Sequence, residues 1–282
     1  MSLLLALDIG NSNLKLGVFM GRKLLHVFRA PTERASTAEH YASLFREQVA
    51  RADLGQGHIE HALLASVVPQ LTPVSCAALG MAFGCEVSVV GPDYDSGIAL
   101  SGPDPRELGA DRLVNAVAAY DLERREAAEG SRALVGSIVV DLGTATKLDC
   151  VAPEGEFLGG IIAPGVQVGL EGLVARAARL RTVELAAPPS VLGRSTLECL
   201  QSGLVHGHAS LVDGLVARLR TVLPFPCRVI GTGGLAALIA PHTIELRRLE
   251  PALTLHGLSA LYARQQALTS RTAAPPPGPS HR

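Results

Sequence analysis

Two stretches of this chain repeat one arrangement of chemistry-bearing residues. Asp8-Ile9-Gly10-Asn11-Ser12-Asn13-Leu14-Lys15 and Asp141-Leu142-Gly143-Thr144-Ala145-Thr146-Lys147 each follow an apolar run, and each reads carboxylate, glycine, small polar residues, lysine. An aspartate closing a buried strand is not a packing residue, because burying an unpaired carboxylate is costly. It suits a metal or a polar ligand. The Gly, Asn, Ser and Thr residues of such a turn can aim backbone amides at phosphate oxygens, and the lysine adds a point charge. The plain alternative is a hairpin with a solvated aspartate. Between the two copies stands Asp111-Arg112, a carboxylate able to accept a proton beside a planar guanidinium able to fork onto a carboxylate. Its plain alternative is a helix-start acid with a surface ion pair. A fourth candidate is Gly231-Thr232-Gly233-Gly234, where glycine permits close backbone approach to the adenosine part of a nucleotide.

The elements needed to position these groups follow from periodicity. The stretch 3–19 reads as a buried strand ending on Asp8, a tight polar turn and a second apolar strand, and 24–28 as a third strand. Helical spacing covers 36–51 and 72–83, with strands at 61–68 and 86–90 between and after them. A turn-rich link at 102–105 leads into a long helix over 112–126. The pattern then restarts: an apolar strand from Ser137 ending on the Asp-x-Gly of Asp141, hydroxyl residues, Lys147 and a second strand, a third strand from Phe157 into a Gly-rich exit, helices at 166–179 and 195–222, a strand at 228–230, and helices at 235–239 and 254–266. Strand-rich units alternating with helices give an α/β class. The repeat is too long for a solenoid and predicts two related domains, 1–128 and 129–268, followed by a disordered Pro-rich tail at 269–282. Two Asp-x-Gly turns facing one cleft would suit a magnesium-bound polyphosphate.

Composition narrows the classes. The 282 residues carry a formal net charge of -1, so no basic excess points to nucleic acid. No apolar run reaches the roughly 20 residues of a membrane helix, and Asp8 arrives too early for a signal peptide. Five scattered cysteines, Cys76, Cys85, Cys150, Cys199 and Cys227, form no CxxC pair and read as small hydrophobes in a reducing cytoplasm. Only three lysines occur, Lys15, Lys23 and Lys147, and two of them close the repeated motif. His206 and His208 lie about 200° apart on a helix, which does not make a metal pair. His256 reads as a surface or interface residue.

The motifs, taken in order, resemble the type III pantothenate kinases (the family of the Bvg accessory factor), within the actin, Hsp70 and sugar-kinase superfamily. The residues that carry the resemblance are Asp8 to Asn13, Ser66-Val67-Val68-Pro69, Asp104-Pro105-Arg106-Glu107-Leu108-Gly109-Ala110-Asp111-Arg112, Asp141 to Thr146, Gly159-Gly160-Ile161-Ile162-Ala163-Pro164-Gly165, Gly231 to Gly234 and Leu253-Thr254-Leu255-His256-Gly257-Leu258. The resemblance implies two duplicated ribonuclease H-like domains around a central nucleotide cleft. It implies phosphorylation of pantothenate by ATP with Mg2+, in a cytoplasmic homodimer. It assigns the ATP phosphates to Asp8, Ile9, Gly10, Asn11, Ser12, Asn13 and Lys15, with Thr144, Thr146, Gly233 and Gly234 completing the nucleotide site. Asp8 would also meet the magnesium. Asp111 becomes the general base on the pantothenate hydroxyl, within a substrate segment of Gly109, Ala110, Asp111 and Arg112. Asp141 becomes the ligand of a monovalent cation, K+ or NH4+.

Three positions depart from the family pattern. Gly102 stands where a tyrosine is usual, and Ala177 where a threonine is usual, with Arg181 in place of a proline. Both usual residues touch pantothenate. Lys147 replaces what is more often a threonine. The nucleotide half thus keeps the pattern more closely than the acceptor half. The alternatives are a non-catalytic nucleotide-binding regulator of the same fold, or a kinase for a related acceptor. The presence of Asp8, Asp111, Arg112 and Asp141 weighs towards catalysis.

Overall fold

Alternation along the first strands decides how the N-terminal sheet is buried. In a computed structural model, residues 2–52, 58–91, 93–102, 104–130, 132–177 and 179–272 are described. The chain divides into two compact units: 1–90 with 94–97 and 255–282, and 91–93 with 98–254.

The first unit holds β1 (Ser2–Ile9), β2 (Asn13–Met20), β3 (Lys23–Pro31), α1 (Ala38–Arg51), β4 (His58–Ser66), α2 (Leu71–Phe83) and β5 (Glu86–Val90). Leu3, Leu5, Leu7 and Ile9 of β1 point to one face, where Leu14, Leu16 and Val18 of β2 join them. Tyr41 and Phe45 of α1 and Leu71 and Leu79 of α2 cover that face. Each such side chain contributes about 1.5–3 kcal/mol on burial. The sheet runs β3-β2-β1-β4-β5, with β1 antiparallel to β2 and parallel to β4. Thr37 starts α1 by accepting the His40 amide, which trims the predicted 36–51 helix by two residues.

The second unit holds β6 (Ala99–Leu100), α3 (Ala110–Ala128), β7 (Gly136–Leu142), β8 (Ala145–Val151), β9 (Glu156–Pro164), α4 (Val166–Arg176), α5 (Thr196–Val222), β10 (Cys227–Thr232), α6 (Ala236–Ile239) and β11 (Arg248–Leu249). Its sheet runs β11-β10-β7-β8-β9-β6. Without β6 this is the first sheet again: β9-β8-β7-β10-β11 answers β3-β2-β1-β4-β5, with β7 antiparallel to β8 and parallel to β10. The duplication read from the two Asp-x-Gly motifs is therefore a duplication of whole ribonuclease H-like sheets. One face of the second sheet packs Ile138, Val140 and Leu148 against Val205, Val212 and Val216 of α5. The other packs Val139 and Ile230 against Ala118 and Ala119 of α3.

The final helix, α7 (Leu253–Thr272), runs past the predicted end at 266, so residues 269–272 are helical rather than part of a disordered tail. Residues 273–282 lie outside the described residues. From Leu255 onward α7 belongs to the first unit. There Leu255 lies against Gly17, and the His256 ring sits edge-on to Phe19 at 5.6 Å. His256 is thus a packing residue inside its unit. The division also differs from the expected boundary after 128. The α3 helix packs on β7 and falls in the second unit, because its alanine face is shaped for that sheet. The five cysteines are free. Burial pushes the Cys150 thiol up to about 12 and Cys227 to about 11, as expected of inert packing residues.

Candidate active site

The first hairpin is closed by its own backbone: the Gly10 amide donates to the Asn13 carbonyl at 2.9 Å. Asp8 and Lys15 are directly opposed across β1 and β2. Both are half-buried, on the face opposite the Leu5–Leu7 core, while Ile9 is buried within that core and can offer a ligand only its backbone. Asn11 and Ser12 are exposed at the tip. The exit of β3 rims this turn. Thr32 Oγ1 donates to the Gly10 carbonyl at 2.7 Å, and Arg34 Nη2 donates to Asn11 Oδ1 at 3.1 Å. Arg34 was not among the sequence candidates, although the β2–β3 pairing of Asn13 with Pro31 makes its nearness inevitable.

The second hairpin repeats the design. Asp141 opposes Lys147, and the Gly143 amide donates to the Ala145 carbonyl at 3.1 Å. Thr144 is exposed at the tip, and its carbonyl accepts from the Gly165 amide at the exit of β9. The sheet's period of two then sorts this strand by face. Lys147 and Asp149 share the face of Asp141, which is the face α3 covers; Thr146 and Leu148 point to the opposite core.

That sorting assembles a charge cluster. Asp111 stands in the first turn of α3, where amides lack intrahelical partners, and its Oδ1 accepts the Arg112 amide at 2.8 Å. Its Oδ2 accepts from Lys147 Nζ at 2.5 Å. The same ammonium lies 2.8 Å from Asp141 Oδ2. Burial pulls the Lys147 ammonium towards neutrality, but the Asp141 and Asp111 carboxylates together outweigh it and raise its pKa. Lys147 is therefore a fixed positive charge, not a lysine displayed to ligands. Arg112 donates through Nε and Nη2, at 2.9 and 2.5 Å, to Asp149 Oδ1, whose side chain is only 2% exposed. Burial raises the Asp149 pKa against the lowering effect of Arg112. The guanidinium also lies 5.4 Å from the Phe157 ring centroid. Gly160 is opposite Asp149 on β9, and a Cβ there would run into the Leu148 carbonyl and the Asp149 carboxylate. Only glycine leaves room for this ion pair. Neither Asp149 nor Gly160 was assigned a role from the sequence; Asp149 is signalled by standing two residues after Lys147, on one side of the strand.

Other sequence candidates separate from this cluster. Thr146 is fully buried, with its hydroxyl 3.2 Å from His208 Nε2. It ties β8 to α5 rather than facing a ligand. Burial lowers the His208 pKa, opposed by a hydrogen bond to the Pro164 carbonyl. Gly233 adopts φ +97, and a Cβ there would strike the Leu142 backbone. Its close approach is thus to the end of β7, where the Leu235 amide donates to the Leu142 carbonyl at 3.0 Å. Gly234, next in the same turn, is exposed. Thr232, paired with Asp141 across β10 and β7, buries a hydroxyl that has no hydrogen-bond partner among the described residues. Gly109 caps α3 with extended backbone, placing Ala110 at its first position. Gly102 is exposed with open space where a side chain would extend, and Ala177 ends α4.

Comparison with known proteins adds three findings. A family model for type III pantothenate kinase matches residues 4–218. Curated relatives of that name include one from Myxococcus xanthus, 40% identical over 265 residues, which cover 94% of this chain and 100% of the relative. Another, from Moorella thermoacetica, is 40% identical over 262 residues, covering 93% and 99%. Among solved structures, a conserved Baf family protein from Campylobacter jejuni superposes with a TM-score of 0.56 over 93% of this chain and 99% of its own, at 18% identity. That likeness bears on the fold alone.

Proposed function

The chain belongs to the type III pantothenate kinase family, and on that premise we propose that it transfers the γ-phosphoryl group of ATP to the hydroxyl of pantothenate, giving 4'-phosphopantothenate, the first step towards coenzyme A. The observation that carries this reading is the Asp111 carboxylate. It is held at the start of α3 by an amide on one oxygen and an ammonium on the other, and its side chain is still 21% exposed. Each carboxylate oxygen keeps a second lone pair for the acceptor hydroxyl. As the hydroxyl oxygen bonds to the γ-phosphorus, its proton passes to Asp111, and the bond to the β–γ bridging oxygen breaks to release ADP. Little covalent work falls to the protein; positioning and charge neutralisation carry the rate.

The Asp8–Lys15 hairpin supplies phosphate contacts in this reading, through the turn amides and Lys15, with Thr144 at the second tip. Arg34, tied to Asn11, adds a guanidinium beside the first tip. Magnesium would neutralise phosphate charge, with Asp8 as its protein ligand; one or two carboxylates plus phosphate oxygens is an ordinary magnesium site. Arg112 spends two of its five donors on Asp149 and keeps the others for an acceptor group. Gly102 and Ala177 leave room where bulkier side chains are usual, so acceptor contacts rest more heavily on the segment from Gly109 to Arg112. No helix of the described residues is long and apolar enough to cross a membrane. A cytoplasmic homodimer is part of the same proposal.

The test is to incubate the full chain with pantothenate and magnesium-ATP and identify the product by mass spectrometry and phosphorus NMR. Formation of 4'-phosphopantothenate with ADP is expected. ATP binding without any phosphopantothenate would instead favour a nucleotide-binding regulator.

A further inference from the structure

The Lys147 ammonium lies between two carboxylates that the family resemblance assigns to different tasks, the base Asp111 and the cation ligand Asp141. It is 2.5 Å from the first and 2.8 Å from the second. This is no chance excursion of a surface side chain. Lys147 is directly opposite Asp141 in the β7–β8 ladder, and its side chain is 13% exposed. A threonine there, as is usual, is uncharged and too short to span the two acids, so both would need a positive charge from solution. Lysine brings that charge on a four-carbon stem, and its terminal group is chemically a tethered ammonium ion.

The residues at Asp141 therefore do not fit a free monovalent cation. A second cation on the same carboxylate would meet the ammonium at close range, in a partly dry setting that strengthens like-charge repulsion. Among the described residues, the buried side-chain oxygen left without a partner beside Asp141 is Thr232 Oγ1, a single neutral ligand atom.

We propose that Lys147 is a built-in replacement for the monovalent cation: its ammonium neutralises Asp141 and positions Asp111, so that phosphoryl transfer by this chain needs neither potassium nor ammonium in solution. The proposal rests on the kinase reading. Lys147 acts through the carboxylates it holds and is a positioning residue.

The test uses the full chain with pantothenate and magnesium-ATP, tetramethylammonium being the only monovalent cation, which potassium then replaces at constant ionic strength. The wild type is expected to vary by less than about twofold, whereas Lys147→Thr falls by about tenfold or more in tetramethylammonium and recovers in potassium or ammonium. A second readout needs no turnover: thallous ion, a potassium stand-in, is soaked into crystals and located by anomalous diffraction. No thallium is expected at Asp141 in the wild type, and a peak is expected there in Lys147→Thr. Potassium activation of the wild type, or a wild-type thallium peak between Asp141 and Thr232, would overturn the proposal. So would a folded Lys147→Thr that gains neither rescue nor thallium. The two wild-type measurements decide the matter if the variant does not fold. A wild type that makes no phosphopantothenate in any salt refutes the kinase reading, and the thallium maps then decide the cation question separately.

Discussion

Replacing Arg112 by methionine isolates the ion pair that underlies the proposed acceptor side of the site. Arg112 gives two N–H donors to one oxygen of Asp149, and Asp149 is 2% exposed. Methionine keeps an unbranched stem of similar reach but removes the guanidinium from over the Phe157 ring and leaves a carboxylate buried without its partner. Removing one member of a buried pair costs about 3–5 kcal/mol. In a unit of this size, at about 2–4 °C per kcal/mol, the melting temperature should fall by roughly 6–20 °C. The loss should depend on pH in a defined sense. Burial already raises the Asp149 pKa, and Arg112 holds part of that rise in check. Without Arg112 the native carboxyl binds a proton at higher pH than the unfolded chain does, so stability falls as pH rises through the native value. The deficit of Arg112→Met should therefore be larger at about pH 8 than at about pH 5. Replacing both residues, as Arg112→Met with Asp149→Leu, should recover most of the loss, because an apolar pair removes the stranded charge. Urea unfolding across pH for the wild type, both single variants and the double gives the cycle. A single variant destabilised by less than about 1 kcal/mol, with no pH dependence, would refute the argument.

Two further outcomes test neighbouring features. Gly160→Ala must push a methyl against the Leu148 carbonyl and the Asp149 carboxylate, and should cost about 1–3 kcal/mol while weakening pantothenate use more than ATP binding; equal stability to the wild type by urea titration would contradict the close packing. His208 is held below its usual 6.5 by burial, so the unfolded chain takes up its proton first as pH falls. Stability should decline from pH 6.5 downward, and His208→Gln should flatten that decline; an unchanged slope in the variant would remove His208 from the account.

Much of the fold was legible because its signals are local. A buried run ending on Asp-x-Gly, a polar turn and a second run mark a hairpin wherever they fall, and their recurrence at Asp141 revealed the doubled sheet. What escaped was set by register and face. Nothing in the spacing of Thr146 and Lys147 says that one hydroxyl turns inward to His208 while its neighbour joins two acids; the pairing of β8 with β7 decides that. Arg112 read as a free fork because Asp149 is far off in sequence and meets it only once α3 lies on the sheet. Gly160 read as one of a Gly-rich run, yet its missing Cβ is what admits that pair. Arg34 went unread because its partner Asn11 is reached through the exit of β3, not through a motif.

The claim at the centre of this account is that the Asp111 carboxylate takes the acceptor's proton. Asp111→Asn keeps the size of the side chain and one oxygen to accept the Arg112 amide, but removes the base. Single-turnover formation of phosphopantothenate, measured beside ATP affinity on the same preparation, should fall by about 10²–10⁴-fold with ATP affinity unchanged. An Asp111→Asn chain that forms product within about tenfold of the wild-type rate would contradict the assignment.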